Sequence, residues 1–245
     1  LTPNTNKRRW RHGAVLANLI EQMGLDIELN FLSDLDSEDI YEAYTIDDAL
    51  DGLFLNRHSF ELILNTWKTK KNVILQGPPG VGKTFIAKRL AYALIQQKNP
   101  DLVSMVQFHQ SYSYEDFIQG YRPTEEGFVL KDGAFYSFCK EAADNPNIPH
   151  VFIIDEINRG NLSKILGELM MLIERDKRGI DWAMPLTYSD DDGEPFFVPE
   201  NLFLLGMMNT ADRSLALVDY ALRRGFAFIE VSPQIDSDKF RRVRK

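Results

Sequence analysis

Short apolar runs alternate with helical stripes along the chain from Ile46 onward. Residues 72–76 (NVILQ), 105–109 (MVQFH), 150–154 (HVFII) and 202–208 (LFLLGMM) are mostly apolar at consecutive positions. That pattern predicts strands covered on both faces. Between them the spacing changes to three and four. Phe60, Ile63, Leu64 and Trp67 share one face of a helix predicted over 59–67, and Phe85, Ile86, Leu90, Ala93 and Leu94 share another. Further helices are predicted at 46–50 and 135–143. Leu162, Ile165, Leu166, Leu169, Met170 and Ile173 read as one continuous helical stripe that stops by Gly179. The run Asp190 to Gly193 (DDDG), between LTYS and PFFV, reads as the turn of a β-hairpin. Strands alternating with helices predict an α/β fold, a parallel sheet with helices on both faces and a hairpin insertion. Residues 1–45 carry no strong period and read as a flanking segment or linker, leaving 46–245 as the folded domain.

Composition narrows the picture. With 245 residues and 44% hydrophobic content, the chain can bury a substantial core. A net charge of −8 argues against broad nucleic-acid binding by this polypeptide alone, because such binding rests on Lys and Arg neutralising phosphates. The basic patch Lys7, Arg8, Arg9 and Arg11, beside Trp10 and His12, is either a solvated helix face or a nucleic-acid contact. Cys139 is the only cysteine, so no intrachain disulfide and no Cys-rich zinc site can form. That suits a reducing cytoplasm. No apolar run approaches the roughly 18 residues that span a bilayer, so no membrane partner is expected. The opening LTPNTNKRRW and closing RRVRK read as the limits of a fragment.

The chemistry is concentrated just after the first predicted strand. Gly77-Pro78-Pro79-Gly80-Val81-Gly82-Lys83-Thr84 matches the phosphate-loop pattern G-x-x-x-x-G-K-[ST] in full. Its glycines let backbone N–H groups converge on phosphate oxygens. Lys83 reaches the β- and γ-phosphates, the Thr84 hydroxyl takes a magnesium position, and the helix entered through Phe85 points its positive end at the same charge. Asp155 and Glu156 close the HVFII strand, where open α/β sheets bind ligands. Asp155 suits a magnesium contact and Glu156 the base that orients an attacking water. An acidic pair after a strand also serves as a helix cap. Asn209, after LFLLGMM, falls where a neighbouring strand would deliver it beside the γ-phosphate; the alternative is a turn-forming Asn ahead of a helix near Asp212. Arg223 and Arg224, on a helical stretch after Asp219, are either charges complementing a helix end or a finger reaching across a subunit boundary.

Taken together, LQGPPGVGKTFIAKRLAYAL, VQFHQSYSYEDFIQGYRP, FIIDEINRGNLSKILGELMMLIERDKRG and MMNTADRSLALVDYALRR resemble the motor domain of the McrB family of AAA+ proteins. The resemblance runs from about Ile46 to Val231. It implies a P-loop NTPase large subdomain, a preference for GTP over ATP, hexameric rings with nucleotide at the interfaces, and an McrC-like endonuclease partner in restriction of DNA containing modified cytosine. By position, Asp155 and Glu156 become the Walker B pair and Asn209 the sensor. Asp212 and Arg213 join the same signature, with Asp212 beside the nucleotide. One departure stands out. The family pattern has three arginines before the phenylalanine, whereas this chain reads Arg223-Arg224-Gly225-Phe226. Either Arg224 takes the finger role, or hydrolysis is crippled while binding survives. The family's N-terminal DNA-reading domain and C-terminal helical lid are expected to be missing, so DNA would be reached through the complex. An ATP-dependent remodeller of the MoxR or dynein-related type, or a nucleotide-binding assembly switch, are the competing readings.

Overall fold

A computed structural model describes residues 41–125, 127–189, 194–211 and 220–232. The compact unit carrying the sheet runs from Glu42 to Lys245. Its elements are α1 (Ile46–Leu50), α2 (Arg57–Lys70), β1 (Asn72–Gly77), α3 (Lys83–Ile95), β2 (Val103–Gln107), α4 (Tyr114–Phe117), β3 (Gln119–Thr124) and β4 (Gly127–Asp132), then α5 (Ala134–Ala143), β5 (His150–Asp155), α6 (Leu162–Leu166), α7 (Leu169–Leu172), β6 (Leu202–Asn209), α8 (Tyr220–Gly225) and β7 (Ala227–Glu230). Five strands form one sheet in the order β2-β5-β6-β1-β7, every pair parallel.

The period of two in the central strands explains why helices cover both faces. Ile74, Phe152, Ile154, Leu202, Leu204 and Met208 point into a core shared with α5, α6 and α7. Their neighbours Val73, Leu75, Val151, Ile153, Phe203 and Leu205 point into a second core under α1, α2 and α3. A strand between two such layers is apolar at successive positions, as residues 73–75, 151–154 and 202–205 are. Trp67 fixes α2 to the sheet by donating its indole N–H to the Leu204 carbonyl, 2.8 Å away.

Beneath the strands lies a buried polar knot. The Arg178 guanidinium donates to the carbonyls of Ile173, Pro199 and Leu202 and to Asn72 Oδ1. Asn72 Nδ2 in turn donates to the carbonyls of Ile173 (2.7 Å) and Gly225 (2.8 Å). Burial pulls the guanidinium down to about 10, which leaves it charged at neutral pH. Together the two side chains supply donors to carbonyls in the interior, where polar groups are paired.

Two expectations need correction. The stripe 162–173 is not one helix. It breaks at Gly167, where φ is +48°, and a Cβ there would come within 3.2 Å of the Tyr114 ring. The break swings Glu168 round to accept from Tyr114 OH (2.6 Å) and from the Thr187 backbone N–H (2.9 Å). Apolar periodicity survives the break because both halves still face the same core. The second correction concerns 105–109. Its strand runs over Val103–Gln107, and the stretch that follows holds the short helix α4 and an antiparallel hairpin, β3 with β4. The residues of the anticipated turn at 190–193 lie outside the described residues; on either side of them Met184 and Phe196 form an antiparallel bridge. Among the described residues no helix is long and apolar enough to cross a membrane.

Candidate functional site

The loop 78–82 leaves β1 and enters α3 at the C-terminal edge of the sheet. Gly80 and Gly82 have φ of +80° and +81°, in the left-handed region that side chains rarely adopt. A Cβ at either would meet nothing within 4 Å, so the glycines serve the turn and keep the space beside it clear. Gly82 is the N-cap of the 13-residue α3 and offers no side-chain cap. The first N–H groups of α3 are therefore free of a capping side chain, and the helix dipole favours an anion in front of them.

Lys83 is buried, and its ammonium is fully engaged. It donates to the carbonyls of Gly77 and Pro78, each at 2.9 Å, and to Asn209 Oδ1 at 2.6 Å. Burial lowers its pKa, while the carboxylates of Glu156 and Asp155 act in the opposite sense. The other end of the Asn209 amide donates to Glu156 Oε1 at 2.5 Å. One amide thus joins the loop lysine to the carboxylate at the end of β5. The arrangement follows from strand order: β6 lies between β1 and β5, so its last residue emerges between theirs.

Glu156 is held on its other side by Arg159, whose Nε lies 3.0 Å from Oε2. Its backbone sits at φ +51°, ψ +42°, an uncommon conformation for a residue with a side chain. Strain of this kind costs about 1–3 kcal/mol and tends to persist at functional sites. Asp155 Oδ1 accepts from the Glu156 N–H at 3.0 Å, which fixes its carboxylate at the strand end. Thr84 is exposed on the first turn of α3. No group of three or more His, Cys, Asp or Glu that could hold a metal occurs among the described residues. A hydroxyl and one carboxylate beside a phosphate cradle nevertheless fit magnesium, which is commonly held by one or two protein oxygens together with substrate phosphates and water.

Beside the loop opens a cavity of about 590 Å³. Its walls are the loop 78–82, residues 52–55 after α1, Phe85 and Ile86 of α3, and Val231 with Ser232 beyond β7. Most of this lining is apolar, with the exposed rings of Phe54 and Phe85 at its edge. A cavity of this size and character suits a flat heteroaromatic group attached to the phosphates.

Residues 72–226 match the AAA domain family, dynein-related subfamily. The chain belongs to that family. Over 200 residues it is 62% identical to the type IV methyl-directed restriction enzyme EcoKMcrB subunit of Escherichia coli (strain K12), an alignment covering 82% of this chain and 44% of that protein. Over 209 residues it is 27% identical to the type II restriction enzyme BsuMI component YdiS of Bacillus subtilis (strain 168), covering 71% of this chain and 59% of that protein. The chain spans about half the length of the curated relatives it matches. The resemblance to McrB read from DEINRGN and MNTADRS is borne out.

Within this AAA domain, Lys83, Thr84, Asp155, Glu156 and Asn209 gather at one edge of the sheet. Arg224 does not join them. It precedes β7, whose Ala227 pairs with Val73 near the start of β1. The length of β1, roughly 20 Å at about 3.3 Å per residue, separates it from the phosphate loop. There it pairs with Glu174, its Nε 3.4 Å from Oε2, and its side chain is mostly exposed. Asp212 lies outside the described residues. Reading the sequence did not pick out Arg159, residues 52–55 or Val231. Arg159 stands three positions beyond Glu156, a spacing that an interacting pair in one turn would take, and was open to detection. Residues 52–55 reach the site only through tertiary packing.

Proposed function

We propose that this chain binds GTP with magnesium and hydrolyses it as the motor subunit of a 5-methylcytosine-specific restriction complex, working with an McrC-like endonuclease. In this reading residues 1–45 flank a nucleotide-binding domain at 46–245. The protein acts in the cytoplasm as a hexamer, and DNA is engaged through the complex. The observation that carries the catalytic part is the chain Lys83–Asn209–Glu156 beside an open phosphate loop. The restriction role and the partner rest on the likeness to the McrB subunit.

The residues divide the work as follows. The loop amides and the N-terminus of α3 receive the phosphate oxygens. Lys83 already spends three donors on three oxygens, so it must release at least one acceptor to reach phosphate. Thr84 and Asp155 would hold magnesium, which would supply charge neutralisation at the phosphates. Glu156, steadied by Asn209 and Arg159, accepts a proton as the water oxygen bonds to the γ-phosphorus. The bond from that phosphorus to the bridging oxygen breaks, and its electron pair leaves with the diphosphate.

Arg224 stands too far from its own loop to assist. A finger role for Arg224 would be exercised on the site of a neighbouring copy, as in a head-to-tail ring. The match to the dynein-related subfamily favours a second reading, an ATP-dependent remodeller. Titration of fluorescent GTP and ATP analogues against the purified chain separates the two. The proposal expects tighter GTP binding, and a clear preference for ATP would transfer the assignment to the second reading. Hydrolysis measured with and without an McrC-like partner tests the motor against a pure assembly switch, which would show no turnover in either condition.

A further inference from the structure

Arg89 makes contacts to two walls of the cavity beside the phosphate loop. It lies just over one turn after Phe85 on α3, with its guanidinium carbon 4.3 Å from the centre of the Phe85 ring. From the same position NH1 donates to the Asp48 carbonyl at 2.7 Å, to the Ala49 carbonyl at 3.2 Å and to Tyr44 OH at 3.3 Å. Those carbonyls belong to the last turn of α1, which leads directly into residues 52–55. The chain turns there at Gly52, with φ +70°, and a Cβ on that glycine would meet Arg89 NH2 at 3.9 Å. Arg89 is thus a polar tie between the helix of the phosphate loop and the segment facing it across the cavity, beside the apolar packing of Ala49 and Leu53.

The energetics suit a positioning role. Arg89 Nε is buried without a hydrogen-bond partner. That orphan donor costs free energy, so the orientation is set by the ring and the α1 carbonyls, not by full satisfaction of the guanidinium. Phe85 itself is 48% exposed and has little packing of its own to hold its ring. A cation over an aromatic face restrains that ring by about 0.5–1 kcal/mol at exposed sites and more where desolvated.

We propose that Arg89 is a positioning residue for the nucleobase: it holds the Phe85 ring and residues 52–55 as opposed walls of the 590 Å³ cavity and so sets the contribution of the base to nucleotide affinity. This deepens the nucleotide assignment and rests on it. The inference separates the base from the phosphates. The loop, α3 N-terminus and Lys83 that would grip phosphate do not depend on Arg89, whereas the cavity walls do.

Calorimetric titration of GTP and of inorganic tripolyphosphate, each with magnesium, into the parent chain, Arg89→Met and Arg89→Lys tests this. Arg89→Met is expected to weaken GTP about tenfold while tripolyphosphate stays within about twofold, since loosened walls lose preorganisation for the base alone. Arg89→Lys retains the charge, so any general electrostatic effect on phosphate is restored. It cannot fork between the ring and two carbonyls, and a GTP loss of about threefold should remain. Should Arg89→Met fail to melt cooperatively, Arg89→Lys carries the test. Equal weakening of both ligands, or weakening of neither, overturns the role of Arg89. A parent chain that binds neither ligand overturns the phosphate site itself, and the inference with it. A parent that binds tripolyphosphate as tightly as GTP leaves the phosphate site standing but overturns the cavity as a base pocket.

Discussion

Replacing Asn209 by Ala should separate hydrolysis from binding. The Asn209 amide donates to Glu156 Oε1 at 2.5 Å and accepts from Lys83 at 2.6 Å, both charged groups. Hydrogen bonds to charged groups contribute about 1.5–3 kcal/mol each. Without nucleotide both are lost, which should destabilise the domain by at least about 1 kcal/mol, since Lys83 keeps its two loop carbonyls. With nucleotide bound, Lys83 turns to phosphate, and the hydrolytic step feels mainly the loss at Glu156. A loss of about 2 kcal/mol in transition-state stabilisation slows hydrolysis roughly thirtyfold. The affinity should stay within about threefold, because the loop amides are untouched and Lys83 has one acceptor fewer to abandon. Single-turnover hydrolysis with protein in excess over labelled GTP reads the first quantity, and titration of a fluorescent analogue reads the second. Asn209→Asp keeps the shape but sets a second carboxylate against Glu156, so it should be at least as slow. Hydrolysis by Asn209→Ala within threefold of the parent, at unchanged affinity, would refute the idea that this amide positions Glu156.

Two further outcomes follow from the opposite edge of the sheet. Gly225→Arg should raise turnover by at least roughly tenfold in the assembled protein, a cautious share of what an arginine finger supplies. The backbone tolerates it: Gly225 is not at positive φ, and an added Cβ meets only Ile173 at 3.7 Å. An unchanged rate would show that this position is not the finger. Arg178→Met should lower stability to urea by about 3 kcal/mol or more, because three carbonyls and Asn72 Oδ1 lose a buried donor. A loss under 1 kcal/mol would mean that water replaces the guanidinium.

The alternating architecture was legible because central parallel strands must be apolar on both sides, and NVILQ, HVFII and LFLLGMM say so residue by residue. The phosphate loop was legible because its function demands glycines and a lysine at fixed spacing. The break at Gly167 was not, because a periodic stripe reports only which face is buried and is blind to a turn that leaves both halves on that face. The hairpin β3–β4 was missed for a related reason. Its outer residues, among them Tyr121, Phe128 and Val129, are exposed and follow no buried-face rule.

Local spacing was enough to put an acidic pair and a late asparagine at the ends of strands in the sheet that carries the phosphate loop. That they touch follows from the packed fold, because contact depends on β6 lying between β1 and β5, and strand order is not written in local spacing. The same holds for Arg224. Its position along the chain is compatible with either edge of the sheet, and parallel pairing of β7 with β1 puts it at the edge away from the loop. The cavity beside the phosphate site is tertiary in the fullest sense. Its walls come from segments before β1, along α3 and after β7, and they are brought together by apolar packing, by the pairing of β7 with β1 and by bonds such as those of Arg89.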